Sequence, residues 1–260
     1  MQQIMITRPA HQAGKLAEGI VAAGGSPFLF PTLDIAAVEL TLEDKEKIQQ
    51  ISQYDIIIFI SPNAVEHGLN QIQDITDLPH NILLATIGQG SAKALNSKLG
   101  KQPDISPKEN FNSEGLLATE AMLNVANKHI LIIRGNGGRE HLKQTLQQRG
   151  AYVDYLNAYQ RIKPSVDSSD LEQYLQNNEI AAIVITSAES LKNLLELTPE
   201  KVISNLLQLP LLLINKRLID IANKAGFENK LIVTAEASDE EIIESLKENN
   251  LLRPMHQHEK

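Results

Sequence analysis

Apolar runs long enough for buried strands alternate with amphipathic stretches along most of the chain. Ile4 to Thr7 reads as a short strand, followed by Arg8, a helix to Ala23, Gly24-Gly25, and a second strand around Phe28-Leu29-Phe30. The same phrase returns later. His129 to Ile133 reads as a strand and Arg134 follows, then Gly135-Asn136-Gly137-Gly138, a helix with Leu142 and Leu146 on one face, Gly150 at its end, and a strand from Ala151. Arg8 and Arg134 stand 126 positions apart, and so do Gly24 and Gly150.

The register extends to other landmarks. Asp55 to Ile60 is a continuous apolar strand ending at Ser61, and Ala181 to Thr186 is another ending at Ser187, again 126 apart. Asn81 to Ile87 leads into Gly88-Gln89-Gly90-Ser91 and a helix closed by Gly100. Leu211 to Ile214 leads into Asn215-Lys216-Arg217 and a helix closed by Gly226, also 126 on. Ser113-Glu114 and Ser238-Asp239 each open a helix, 125 apart, and Ser238 with Glu241 forms a capping box. Buried strands alternating with amphipathic helices predict the α/β class, as two similar parallel-sheet domains covered on both faces and related by internal duplication. The competing arrangement is one large doubly wound domain.

In open parallel sheets, ligands sit beyond the carboxyl ends of the strands, where loops meet helix N-termini. The distinctive polar residues fall there. Ser61, Asn63, Ser91, Ser113, Ser187, Ser190 and Ser238 each lie at or near a helix start, where free amides and the positive end of the dipole attract carboxylates or phosphates. Each serine taken singly is accounted for as an N-cap. As a set they are expected to include ligand contacts. Arg8, Arg134, Arg139, Lys216 and Arg217 also follow strand ends, where a guanidinium can pair bidentately with a carboxylate. The plain alternative for each is a solvated surface charge.

Composition narrows the partners. A net charge of −8, from 24 Lys and Arg against 32 Asp and Glu, with 4% aromatic residues and no Trp, argues against nucleic-acid binding. An anionic ligand must therefore meet local positive field. The chain has no Cys, which removes disulfides and thiolate chemistry and fits a reducing compartment. No stretch approaches the roughly 20 apolar residues of a membrane span, and the N-terminus lacks a secretory pattern, so a cytoplasmic protein is expected.

Other chemistries fail on residue inventory. Gly135-Asn136-Gly137-Gly138-Arg139-Glu140 begins like a dinucleotide fingerprint, but Glu140 stands where the last glycine belongs. Gly88-Gln89-Gly90-Ser91-Ala92-Lys93 has the wrong spacing for a P-loop. The seven His residues form no metal-ligand motif, His256 and His258 falling in a polar tail over 255–260, and no Ser stands in a Gly-x-Ser-x-Gly elbow. No metal site is expected.

The landmarks together resemble the uroporphyrinogen-III synthase family from the N-terminus to about Leu246. The matching pieces are Ile6-Thr7-Arg8-Pro9; Ser61-Pro62-Asn63-Ala64-Val65; Ile87-Gly88 with Ala92 and Ala94-Leu95; Ser113-Glu114-Gly115-Leu116-Leu117; Arg134-Gly135 with Gly138-Arg139-Glu140 and Leu142; Tyr159-Gln160-Arg161; Thr186-Ser187; and Ala235-Glu236-Ala237-Ser238. Their order and spacing make the match specific. Ser91 stands where many relatives have Thr, and Asn215-Lys216-Arg217 replaces a glycine-containing turn of some relatives.

The resemblance implies a cofactor-free monomeric enzyme that takes the linear tetrapyrrole hydroxymethylbilane, expels its hydroxyl as water and closes the ring with inversion of the last pyrrole through a spirocyclic pyrrolenine. It also implies two domains, 1–31 plus 165–254 and 41–156, flanking a cleft and joined by linker strands at 32–40 and 157–164. The expected substrate contacts are Arg8, Ser61, Asn63, Ser91, Ser113, Arg134, Gly135, Arg139, Ser187, Lys216, Arg217 and Ser238. Tyr159 matches the family's tyrosine that assists departure of the hydroxyl, against the alternative of a linker aromatic packing on a domain edge. A two-domain binding or sensor module for a small anionic ligand, or a nucleotide-sugar transferase, are the rival functions.

Overall fold

The computed structural model describes residues 2–137 and 140–252. It divides into two compact units, Met1–Asp34 with Ile162–Lys260, and Ile35–Arg161. The chain passes between them at 34/35 and 161/162, each time inside a strand.

The first unit contains β1 (Gln3–Ile6), α1 (Ala10–Ala22), β2 (Ser26–Leu29), and the later elements α8 (Ser169–Gln176), β8 (Ile180–Ile185), α9 (Ala188–Leu197), α10 (Ile203–Leu207), β9 (Leu211–Leu213), α11 (Arg217–Lys224), β10 (Leu231–Val233) and α12 (Asp239–Glu248). Its sheet runs β10-β9-β8-β1-β2, with β1 parallel to β8 through Ile4↔Ala182, Met5↔Ile183 and Ile6↔Val184. Alternate residues of the strands face opposite layers. Met5, Ile183 and Leu213 pack with Leu171, Leu191 and Leu218 on one side, while Ile4, Ile6, Val184 and Leu212 pack with Leu16, Ile20 and Ile242 on the other.

The second unit contains β3 (Asp34–Ala37), α2 (Leu42–Gln49), β4 (Ile56–Phe59), α3 (Pro62–Gln73), β5 (Leu83–Thr86), α4 (Gln89–Leu99), α5 (Ser113–Leu117), α6 (Glu120–Leu123), β6 (His129–Gly135), α7 (His141–Gln148) and β7 (Tyr152–Ile162). Its order is β3-β7-β6-β4-β5. Superposing the 126-residue register on these orders maps β2, β1, β8 and β9 onto β7, β6, β4 and β5. The correspondence reaches Ile105, whose isolated bridge to Ala85 lies where β10 begins in the other copy. The expected α/β class, with two sheets built mainly of parallel pairs, is borne out.

The landmark glycines have a shared cause. Gly24, Gly100, Gly150 and Gly226 all close helices with φ between 65° and 91°, a left-handed turn that L side chains resist. A second repeated device holds the strand ends. Asn193 on α9 donates its amide to the Thr32 carbonyl at 2.8 Å, and Gln71 on α3 donates to the carbonyl of Ala158, the position 126 later, at 3.1 Å.

Of the second linker strand expected at 157–164, residues 157–162 continue β7 as part of a sheet. β7 runs eleven residues without a break in the chain, and Tyr159 pairs with Gly135 of β6, so 157–161 belong to the second unit. Backbone hydrogen bonding to β6, including Asn136 N–H to the Tyr159 carbonyl at 2.8 Å, keeps this stretch from being free-standing.

Candidate functional site

In both units the strand order reverses at one place: between β1 and β8, and between β6 and β4. Loops diverge there, so the carboxyl ends of those strands open a crevice. In the second unit the crevice is set by Ser61 after β4 and by Arg134-Gly135 at the end of β6.

Ser61 is the N-cap of α3. Its Oγ accepts the Ala64 N–H at 3.0 Å, and Pro62 begins the helix with a preset φ and no amide to satisfy. The helix lies close on β6 because Gly68 has no side chain: a Cβ there would come within 2.5 Å of Ile133 Cγ2. The same Ser61 Oγ is 2.9 Å from the Tyr159 hydroxyl. Tyr159 is 6% exposed, its ring stacked on His67 of α3 with centroids 5.9 Å apart.

A bulge aims that tyrosine. Along β7, Val153 and Tyr155 pack on the α5–α7 side with Ile130 and Ile132, while Leu156 and Ala158 face α3 with Leu131 and Ile133. Strict alternation would send Tyr159 to the side of Tyr155. The ladder instead steps from Arg134↔Asn157 to Gly135↔Tyr159, so two residues of β7 span one of β6 and Tyr159 joins Ala158 under α3. Gly135 makes room: a Cβ there would lie 2.7 Å from the Tyr159 ring carbons Cε2 and Cζ.

On the other side of the sheet lies a pocket of about 280 Å³, walled by Ile60, Ile87, Ile132 and Leu142 and edged by Asn112, Ser113, Arg134 and Tyr155. Arg134, 4% exposed, is already engaged. It donates to the Gly135 carbonyl at 3.3 Å, to the Gly137 carbonyl and to Glu140 at 3.0 Å, and its guanidinium lies 4.4 Å from the centre of the Tyr155 ring. Glu140 uses its second oxygen to accept from the Tyr155 hydroxyl at 2.9 Å. The Tyr155 and Arg134 bonds hold the Glu140 carboxyl below the usual carboxylate range. Burial and the Glu140 bond push the Tyr155 phenol up to about 12. Arg134 thus spends its donors within the protein, and a ligand carboxylate reaching it competes with Glu140.

The first unit repeats part of this arrangement. Ser187 caps α9 by accepting the Ser190 N–H at 3.0 Å, but Leu33 stands at the position equivalent to Tyr159. Ser190 points inward. Its Oγ lies 2.7 Å from Thr7 Oγ1 and 2.8 Å from Thr32 Oγ1, all three residues being buried, which ties α9 to the ends of β1 and β2. Arg8 is paired with Asp239 in the first turn of α12, whose N-cap Ser238 accepts from Glu241 N–H at 3.2 Å. The expected capping box is incomplete, because Glu241 Oε1 accepts from Ala235 N–H rather than from Ser238.

The other expected contacts scatter. Asn63 is half-buried in the first turn of α3, and Ser91 is buried in the first turn of α4, behind the N-cap Gly88. Asn112, not Ser113, caps α5, accepting from Gly115 N–H at 2.7 Å. Lys216 and Arg217 are exposed at the start of α11, with no ion pair among the described residues. Arg139 and the tail at 255–260 lie outside the described residues. Asn112, Tyr155 and His67 were not foreseen, and Glu140 stood only as part of the motif after Arg134, with no role; the alternation of Tyr155 with Val153 offered a sequence signal for that tyrosine.

The family model for uroporphyrinogen-III synthase HemD matches residues 14–251. The chain belongs to the uroporphyrinogen-III synthase family. It is 32% identical over 249 residues to the uroporphyrinogen-III synthase of Salmonella typhimurium, across 94% of this chain and 99% of that protein. The Escherichia coli protein of the same name is 28% identical over 246 residues, with 94% and 99% covered. The crystal structure of uroporphyrinogen-III synthetase from Helicobacter pylori has the same fold, with a TM-score of 0.61 at 15% identity over 96% of this chain and 100% of that one. A mutant Thermus thermophilus uroporphyrinogen III synthase gives 0.57 at 16% identity, with 97% and 98% covered. The expected family and enzymatic character are borne out: members of this family are lyases of porphyrin biosynthesis, and the chain is an enzyme of that kind. Among the described residues no helix is long and apolar enough to cross a membrane.

Proposed function

We propose that the chain closes hydroxymethylbilane to uroporphyrinogen III, with Tyr159 donating to the departing hydroxyl. The carbon–oxygen bond breaks with its electrons leaving on oxygen, and the phenol supplies the proton that makes water. The electrophilic methylene left behind is attacked by the substituted α-carbon of the terminal pyrrole, giving a spirocyclic pyrrolenine. The bond from that carbon to its original methylene then breaks, the freed methylene bonds to the other α-carbon of the now inverted pyrrole, and the proton lost from that carbon restores the phenol. The observation that carries the reading is the phenol of Tyr159 at the strand-reversal crevice, aimed by a bulge and hydrogen-bonded to a helix cap. The pyrroles are electron-rich in themselves, so the remaining task is positioning.

Support for substrate contacts is uneven. Ser61, Asn63, Ser113 and Gly135 lie around the second unit's crevice, and Ser187, Ser238, Arg8, Lys216 and Arg217 follow strand ends of the first. Exposed Lys216 and Arg217 have charge to offer acetate and propionate groups; Arg8 and Arg134 must first release a carboxylate. A cysteine-free chain suits the cytoplasm, and a monomer is the family expectation.

Tyr159→Phe is the test. With enzymatically generated hydroxymethylbilane, formation of the type III isomer is expected to fall severalfold or more, while circular dichroism stays that of the parent. Unchanged turnover removes the role from Tyr159. A parent chain that fails to raise the type III fraction above the spontaneous type I product removes the function.

A further inference from the structure

We propose that Ser61 is a positioning residue for Tyr159: it donates its hydroxyl proton to the phenol oxygen, linking the first turn of α3, Ser61 and Tyr159 into one donor chain. This rests on Tyr159 being the donor to the departing hydroxyl. A serine hydroxyl has one proton and two lone pairs, and one lone pair of Ser61 is occupied by Ala64 N–H at 3.0 Å. The 2.9 Å contact with Tyr159 then has two senses. If the phenol donates to Ser61, its only proton is spent inside the protein. If Ser61 donates, the phenol proton is free for the substrate.

Only the second sense is productive, and the reaction itself favours it. As Tyr159 gives up its proton, negative charge grows on its oxygen, and a fixed donor at 2.9 Å stabilises that charge without rearrangement. The Ala64 amide at the positive end of α3 polarises Ser61, and Ser61 in turn polarises the phenol, each bond strengthening the next. The ring cannot turn away easily, being held between Gly135 and His67.

The duplication separates this role from simple capping. Ser187 makes the same cap on α9 at the same 3.0 Å, yet Leu33 offers it no phenol. Capping is therefore what both serines do, and the contact to Tyr159 is added in one copy alone.

The test uses the full chain and hydroxymethylbilane, with Ser61→Ala, Ser61→Thr, Ser187→Ala and Tyr159→Phe, and the two serine-to-alanine changes each combined with Tyr159→Phe. Ser61→Ala is expected to lower kcat roughly 3–10-fold, the worth of one hydrogen bond, with KM little changed. Ser61→Thr keeps the hydroxyl and should retain kcat. In the Tyr159→Phe background Ser61→Ala should cost nothing more, whereas whatever Ser187→Ala costs should multiply with Tyr159→Phe. Ser61→Gly, which caps nearly as well as Ser, replaces the Ala variant if that one melts early. Parental kcat in Ser61→Ala, a threonine variant as slow as the alanine one, or multiplying effects of Ser61→Ala and Tyr159→Phe overturn the proposal. Should Tyr159→Phe be slow while Ser61→Ala is not, the positioning role falls and Tyr159 keeps its own. Should Tyr159→Phe turn over like the parent, both fall.

Discussion

Replacing Gly135 by Ala puts one methyl group where the Tyr159 ring now lies. The built Cβ stands 2.7 Å from two ring carbons, and the nearest ordinary contact is 3.4 Å, so ring or strand must yield about 0.7 Å. The ring is nearly enclosed, with His67 stacked on it and the strand behind it paired to β6, so overpacking is expected to cost about 1–3 kcal/mol. A displacement of that size along the Ser61 bond stretches it from 2.9 Å to about 3.6 Å, past the limit of a useful hydrogen bond. Misplacement approaching 1 Å can cost a reaction on the order of 100-fold. The assay is paired: urea denaturation for stability, and initial rates of type III formation from hydroxymethylbilane. We expect destabilisation and a fall in kcat at least as large as that of Tyr159→Phe. Parental stability together with parental kcat would show that the close approach of Gly135 to Tyr159 does not constrain the site.

Two further predictions concern stability. Gly14 in α1 and Gly24 at its end both have open space where a Cβ would go, but only Gly24 has positive φ, at 84°. Gly14→Ala should therefore stabilise by about 0.5–1 kcal/mol and Gly24→Ala destabilise by about 1–2 kcal/mol; the same sign for both in urea titrations refutes the conformational account. Asp55 accepts from Lys128 Nζ at 2.7 Å and from His129 N–H at 2.9 Å, which together hold its carboxyl below the usual range. Its stabilisation is full above the unfolded carboxylate pKa and disappears as pH falls through the lower folded one. The stability gap between the parent and Asp55→Asn, measured in urea from about pH 7 down to about pH 3, should narrow toward acid; a gap that is constant or widens contradicts this.

Periodicity and repeated landmarks carried the fold, because buried parallel strands leave continuous apolar runs and helices must close on residues that tolerate a left-handed turn. Ile56 to Phe59 and Gly100 are each legible on those grounds alone. The site was legible only as positions, not as partnerships. Nothing in the pattern shows that Arg134 spends its charge on Glu140 and two carbonyls, since alternation and spacing do not encode which groups meet in three dimensions. The aim of Tyr159 was hidden for a different reason. A one-residue bulge reverses every inward and outward assignment beyond it while leaving composition unchanged, and alternation read through Val153 and Tyr155 points to the wrong face.

The two copies share a frame and differ in what they place inside it. Carbonyls 32 and 158 are both held by helix amides, though Asn193 sits one turn earlier in α9 than Gln71 does in α3, so the strand end is fixed by position rather than by a kept residue. Both caps, Ser61 and Ser187, accept an amide at 3.0 Å. The copies diverge inside that frame. The first fills its strand-end space with a closed network of Thr7, Thr32 and Ser190, each hydroxyl satisfied within the protein. At the equivalent positions the second has Ile133, Ala158 and Ala64, apolar residues that offer no such bonds, and beside them a phenol whose hydroxyl meets the helix cap instead. A self-satisfied hydroxyl network has nothing to offer a ligand, whereas a phenol bonded through one side of its oxygen keeps a further bond to make. That difference, between equivalent positions on one scaffold, is the physical argument for seeking the chemistry at Tyr159 and the contacts elsewhere.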